Sequence, residues 1–144
     1  MARLLVVALA CILLSSLAAT GSADAGLTTP EKRLLYRINH TRANHGLARL
    51  HIGWKMQRRA HSWARYLRRH DSFYHGRMAS GTSENIGWVT CRPRWGRALV
   101  RMWLDSYYHR IHLLDRSTRK IGVGVSKGRW SGYQCVRMAV TRFR

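Results

Sequence analysis

The sequence predicts an α+β domain built around an antiparallel sheet. Three observations carry this. Apolar residues recur at helical spacing in three separate segments before Tyr107. The two longest alternating segments, Lys120–Ser126 and Tyr133–Phe143, come together at the end of the chain. Strands gathered after several helices mark an α+β arrangement rather than an alternating parallel one. Residues 26–144 also suit a single domain with one core, with no repeat, low-complexity tract or linker.

The first residues read as a targeting segment. Met1-Ala2-Arg3 is a short basic start, Leu4 to Leu17 is apolar, and Ala23-Asp24-Ala25 is a small-residue cleavage signal, with Gly21-Ser22-Ala23 a weaker one. This pattern predicts a secretory signal peptide over residues 1–25. The apolar run is short for a bilayer span and is interrupted at Ser15-Ser16. Neither it nor any later segment is expected to remain in the membrane. The expected location is therefore secreted and extracellular.

The first helix begins at Thr28, where Thr28-Thr29-Pro30-Glu31 supplies a hydroxyl, a proline in the first turn and a carboxylate three residues on. Leu34, Leu35 and Ile38 form its apolar face, and Gly46 ends it. Asn39 and Arg42 lie on one face, placed either to bond nearby backbone or to meet water. A connection from Leu47 to Gly53 turns Leu50 and Ile52 inward. The second helix runs to about His70, with Met56, Ala60, Trp63, Ala64 and Leu67 at spacings of 4, 3, 1 and 3.

Residues 71–83 read as loop. Residues 84–90 read as a short strand, through Ile86, Trp88 and Thr90. After the break at Cys91-Arg92-Pro93, a third helix is expected from Arg94 to Tyr107, with Ala98, Leu99, Met102 and Trp103 inward. A turn or short helix over His109–Asp115 follows. Then come a strand over Lys120–Ser126, a turn within Lys127–Gly132 and a strand over Tyr133–Phe143. Of the six tryptophans, Trp95 and Trp130 flank basic residues in expected loops and are candidates for an exposed binding face.

The charge is extreme. Lys and Arg total 26 against 6 Asp and Glu, for a formal charge of +20, and only Lys32, Lys55, Lys120 and Lys127 are lysine. Two readings stay open: a well-solvated surface, and attraction to polyanions such as envelope polymers or anionic lipid. Nucleic acid is disfavoured by export and by the absence of any basic-aromatic module. Past the targeting segment, Cys91 and Cys135 form an even pair, which suggests a disulfide, two buried thiols being the other reading. It would close a loop of about 45 residues, contributing roughly 4 kcal/mol in the chain-entropy account.

One stretch concentrates the chemistry: His75 to Gly87, which holds a histidine and Glu84-Asn85-Ile86-Gly87. A carboxylate in so basic a chain points to a specific partner. Asn39-x-x-Arg42, His75, Glu84-Asn85-Ile86, Trp103-x-x-Ser106-x-x-His109-Arg110, Leu113-Leu114 and Ile121-Gly122-Val123-Gly124 stand in an order and spacing that resembles the CAP superfamily. That superfamily comprises the cysteine-rich secretory, antigen 5 and plant pathogenesis-related proteins. The compact bacterial branch of SCP-like extracellular proteins is the most similar, and the resemblance covers residues 30–144.

The resemblance implies a three-layer α-β-α sandwich and a cleft with two histidines and one or two glutamates that in some members binds a divalent metal. Carried over, the cleft residues are His75, Glu84 and His109, supported by Asn85, Ser106 and Arg110. Two positions depart from the pattern: Ser83 stands in place of the usual glycine, and Ser106 in place of the second glutamate of many members. Two imidazoles and a carboxylate suit zinc, so His75, His109 and Glu84 form a candidate metal set. A metal-bound water with Glu84 as base would make a peptide or ester hydrolase. The other reading is a polar network that stiffens a cleft. The expectation is a non-enzymatic binding module at or outside the envelope, its partner an anionic polymer, a lipid or another protein. The metal-dependent hydrolase is the alternative. His40, His45, His51, His61 and His70 read as solvated, and the turn containing His112 reads as mainly packing.

Overall fold

The computed structural model describes residues 26–144. The expectation for residues 1–25 lies outside the described residues. In chain order the elements are α1 (Thr29–Asn44), β1 (His51–Ile52), α2 (Trp54–Arg69), β2 (Ser83–Thr90), α3 (Trp95–Asp105), α4 (Tyr107–Leu113), β3 (Lys120–Trp130) and β4 (Tyr133–Phe143).

Helix α1 starts as its sequence dictates. Glu31 Oε2 accepts from both the backbone N–H and the hydroxyl of Thr28, each at 2.9 Å. The other oxygen of Glu31 accepts from His61 Nδ1 at 2.7 Å, which ties α1 to α2. His61, expected in solvent, is thus half-buried on a carboxylate.

The four strands form one sheet in the order β1-β3-β4-β2. Strands β2, β3 and β4 pair antiparallel, as expected, but β1 runs parallel to β3, so the sheet is mixed. The cause is the connection after α1. Asn39 donates from Nδ2 to Leu50 O at 3.1 Å and accepts from Leu50 N at 2.8 Å, holding that backbone in line with the start of β3. Fully buried Arg42 donates to the carbonyls of Ala48, Leu113 and Asp115, so it pins two connections at once.

Where β1 stops, α2 takes over its pairing role. Gln57 Nε2 donates to Val123 O and Val123 N donates to Gln57 Oε1, both at 2.7 Å. Gly122 and Gly124 make this possible. A Cβ on either would run into the α2 backbone at Met56–Gln57 or Ala60–His61. The helix therefore lies directly on the strand.

Alternation along the strands sorts two cores, one on each face of the sheet. Ala60, Ala64 and Leu67 of α2 pack on Ile86, Val136, Met138 and Val140. On the other face, Leu34, Ile38, Leu99 and Trp103 pack on Ile121, Val123, Ala139 and Phe143. Helices lie on both sides of the sheet, which is the three-layer α-β-α arrangement. Cys91 and Cys135 are bonded as a disulfide, with Cα atoms 5.4 Å apart, and lie side by side at the end of the β2–β4 ladder.

Several expectations change. The β3–β4 turn is only Ser131-Gly132, both with positive φ (46° and 80°). That is the tight turn whose twist suits a hairpin, so β3 reaches Trp130 rather than ending at Ser126. Trp95 and Trp130 are buried, not exposed. Trp95 belongs to the first turn of α3 and packs inward, while Trp130 packs against Trp88 with the two rings tilted by 48°. Met102 is 40% exposed, because Val100 takes the inward position on α3. The third helix ends at Asp105 rather than at Tyr107, and the short helix expected to hold His109 starts earlier, as α4 at Tyr107. Among the described residues, no helix is long and apolar enough to cross a membrane.

Candidate functional site

Strand β2 is an edge strand, and its alternation sends Glu84 and Asn85 to opposite faces of the sheet. Each gathers its own set of partners.

Glu84 is cross-strand from Arg142 and shares its face. The Glu84 side chain is 1% exposed and that of Arg142 is 8% exposed. Oε2 of Glu84 accepts from Arg142 Nε at 2.8 Å. Oε1 accepts from Gly76 N–H at 2.9 Å and from His75 Nδ1–H at 3.1 Å. The carboxylate that looked conspicuous in sequence does have a specific partner, and that partner is an arginine. It also clasps residues 75–76 of the preceding loop to the sheet edge. His75 itself is 58% exposed in its side chain.

Asn85 is fully buried on the opposite face. It donates from Nδ2 to His109 O at 2.9 Å and accepts from His112 Nδ1–H at 3.0 Å. Ser106 Oγ and His109 Nδ1 stand 2.7 Å apart. Asn85 and Ser106 thus both bond to His109. Arg110 does not: it is exposed and donates to Leu104 O, closing the α3–α4 corner. His112, expected mainly to pack, is instead the side chain that orients the Asn85 amide.

The three cleft residues are therefore held by two separate networks. His75 and Glu84 belong to one; His109 belongs to the other. Among the described residues, no three His, Cys, Asp or Glu side chains stand in an arrangement that could hold a metal ion. As the side chains stand, the set of His75, Glu84 and His109 does not fit a metal, and both Glu84 oxygens already accept hydrogen bonds from the protein.

Sequence reasoning missed Arg142, Gly76 N–H and His112. Only the first left a signal: Arg142 lies in a strand otherwise apolar on that face, and a lone carboxylate called for a cation.

His109 and His112 are both held below the ordinary histidine value of 6.5. Burial is the main cause for each, followed by the charge of His75; His112 adds to the effect on His109, while Asp115 opposes it at His112. The unfolded chain then takes up protons before the folded chain does. This part of the stability is complete above about pH 6.5 and is lost as pH falls through the lower folded values. Asp115 is also lowered, chiefly by the backbone N–H and hydroxyl of Ser117, so it adds a loss of the same sign in stronger acid. The melting temperature is expected to fall on going from about pH 7.5 to about pH 5.5, and to fall less in the His109→Gln, His112→Gln double variant. Equal slopes in the two proteins would contradict this assignment.

The comparisons with known proteins agree with this architecture. The sequence pattern of the cysteine-rich secretory protein family, CAP, matches residues 35–140. A search of curated proteins finds no match. Among solved structures, the chain is similar to an outer surface protein of Borrelia burgdorferi at 19% identity, with 78% of this chain and 89% of that one covered and a TM-score of 0.56. It is similar to venom allergen-like protein 4 of Schistosoma mansoni at 12% identity, with 81% and 88% covered and a TM-score of 0.62. It is also similar to an extracellular protein of Bacillus anthracis containing an SCP domain, at 19% identity, with 78% and 39% covered and a TM-score of 0.60.

Proposed function

The chain belongs to the cysteine-rich secretory protein family, CAP, and from that premise we propose that it is a secreted, non-enzymatic binding module whose ligand is an anionic polymer of the cell envelope. The observation that carries this is the state of Glu84. Its oxygens accept three hydrogen bonds, one of them from a buried guanidinium. A carboxylate so engaged is a structural clamp. A general base or metal ligand needs a lone pair directed at water or metal. The position that would offer a second carboxylate holds Ser106, which is turned to His109.

Export is supported by the Cys91–Cys135 disulfide, since such bonds persist in oxidising compartments. The outer-surface and extracellular descriptions of two similar structures point the same way. The ligand class follows from charge. At +20, the protein carries a potential that attracts polyanions over distances comparable to the Debye length.

The test is retention on immobilised poly(glycerol phosphate), polyglutamate and a neutral glucan as ionic strength rises. Retention on the anionic polymers alone, falling steeply between about 50 and about 200 mM salt and indifferent to chelator, is the expected result. Failure to bind either polyanion at low salt would end the proposal.

A further inference from the structure

Three hollows meet around the start of α3, on the side of the molecule away from Glu84. The first, about 800 Å³, lies between α1 and residues 91–97. The second, about 550 Å³, follows α3 toward Asp105, and the third, about 240 Å³, runs between α1 and α3. Arg97 lines all three. They form one branched groove with Arg97 at its junction.

The walls of the groove are cationic. Helix α1 contributes Lys32, Arg33 and Arg37 to the first hollow, and they stand across from Arg92, Arg94 and Arg97. No carboxylate lines that hollow. Among the described residues, the ion pairs lie elsewhere, at His61–Glu31, His75–Glu84 and Arg142–Glu84. Asp71 and Asp115 are also engaged elsewhere, with Ser131 and with Ser117 and Thr118.

Arg137, reaching up from β4, sharpens the point. Its guanidinium lies 4.8 Å from the centre of the Trp95 ring, and its Nε is buried with no hydrogen-bond partner. Burial and the nearby charge of Arg33 both work against its positive charge. A buried donor without an acceptor is costly, and an oxyanion placed in the hollow beside the guanidinium would offset the repulsion between Arg137 and Arg33.

We propose that this groove is the ligand site, and that it seats a linear phosphodiester chain with successive phosphates at Arg137 and at the Arg97 junction. The proposal rests on the binding-module reading above. Arginine outnumbers lysine on the walls, and its planar fork matches two oxygens of a phosphate where an ammonium acts as a point charge. A branched groove with several cationic stations suits a flexible chain better than a single ion. A flat lipid surface fits less well, because the exposed Tyr107, Tyr108 and Ile111 of α4 line none of the three hollows.

The experiment is titration calorimetry of the protein with poly(glycerol phosphate), with orthophosphate, and with vesicles of phosphatidylglycerol in phosphatidylcholine, all at one salt concentration. The groove variant is Arg92→Gln with Arg97→Gln, both exposed positions, so folding is undisturbed. The control is Arg58→Gln with Arg59→Gln on α2, which removes equal charge from the opposite face. The groove variant should weaken polymer binding by about tenfold per arginine, while the control changes it by no more than about threefold. Polymer binding that falls equally in both variants would overturn the groove while leaving the binding reading intact. So would vesicle binding tighter than polymer binding, or orthophosphate binding as tight as the polymer. Absence of binding to all three probes would overturn both.

Discussion

Gly124→Ala is expected to remove about 3 kcal/mol or more of stability and to lower the melting temperature by roughly 10 °C or more. The single added carbon would fall on the Ala60 carbonyl and within 2.7 Å of His61 N. Both are backbone atoms of a helix that cannot step aside, because the Gln57 amide bonds Val123 from both ends. Relief requires α2 to lift off β3, which breaks those bonds and opens the core formed by Ala60, Ala64 and Leu67. Gly96→Ala is the internal comparison. Its Cβ would meet only Arg37 Cγ at 3.7 Å, an ordinary contact, and in a helix alanine is favoured over glycine by up to about 1 kcal/mol. Thermal melts of the two variants should move in opposite directions. A Gly124→Ala protein as stable as its parent would mean that α2 does not sit on the strand as described.

Glu84→Gln is expected to cost about 3–5 kcal/mol, although it changes almost nothing in shape. Glu84 is surrounded by donors on both sides: Arg142 Nε at one oxygen, Gly76 N–H and His75 Nδ1–H at the other. A glutamine offers one acceptor and one donor. In either orientation of its amide, one side becomes donor against donor. The guanidinium of Arg142, 8% exposed, would then be left without its counter-ion. The loop that Gly76 anchors should loosen too, so cleavage by protease within residues 71–82 is expected to accelerate in this variant. Binding through the groove at Arg97 should not change, since that groove is formed by other elements.

Much of the architecture could be read from the chain because it rests on local patterns. The capping residues at Thr28 and Glu31, the apolar stripe of α2 and the alternation of β4 each report their own element. The parallel strand β1 could not be read, because two residues have no periodicity and its pairing is imposed by the Asn39 amide from another element. Trp95 and Trp130 were misjudged for a related reason. Basic neighbours suggested exposure, but burial was decided by the start of α3 and by the extension of β3 across the bulge near Gly128. At the site, the grouping of the candidate residues is not visible in the sequence. Sequence spacing does not reveal that Glu84 and Asn85, adjacent in the chain, look to opposite faces and recruit different partners. Arg142 lies 58 residues from Glu84, and only strand register brings the two together.

The central claim is that Glu84 serves as a structural clamp, and the coupling energy between Glu84 and Arg142 tests it most directly. Unfolding free energies would be measured for the parent, Glu84→Gln, Arg142→Leu and the double variant. The clamp predicts a favourable coupling of about 2 kcal/mol, with the double variant more stable than the sum of the single losses allows. Additive losses within about 0.5 kcal/mol, together with a nearly neutral Glu84→Gln, would contradict it and return the carboxylate to the role of a free catalytic base.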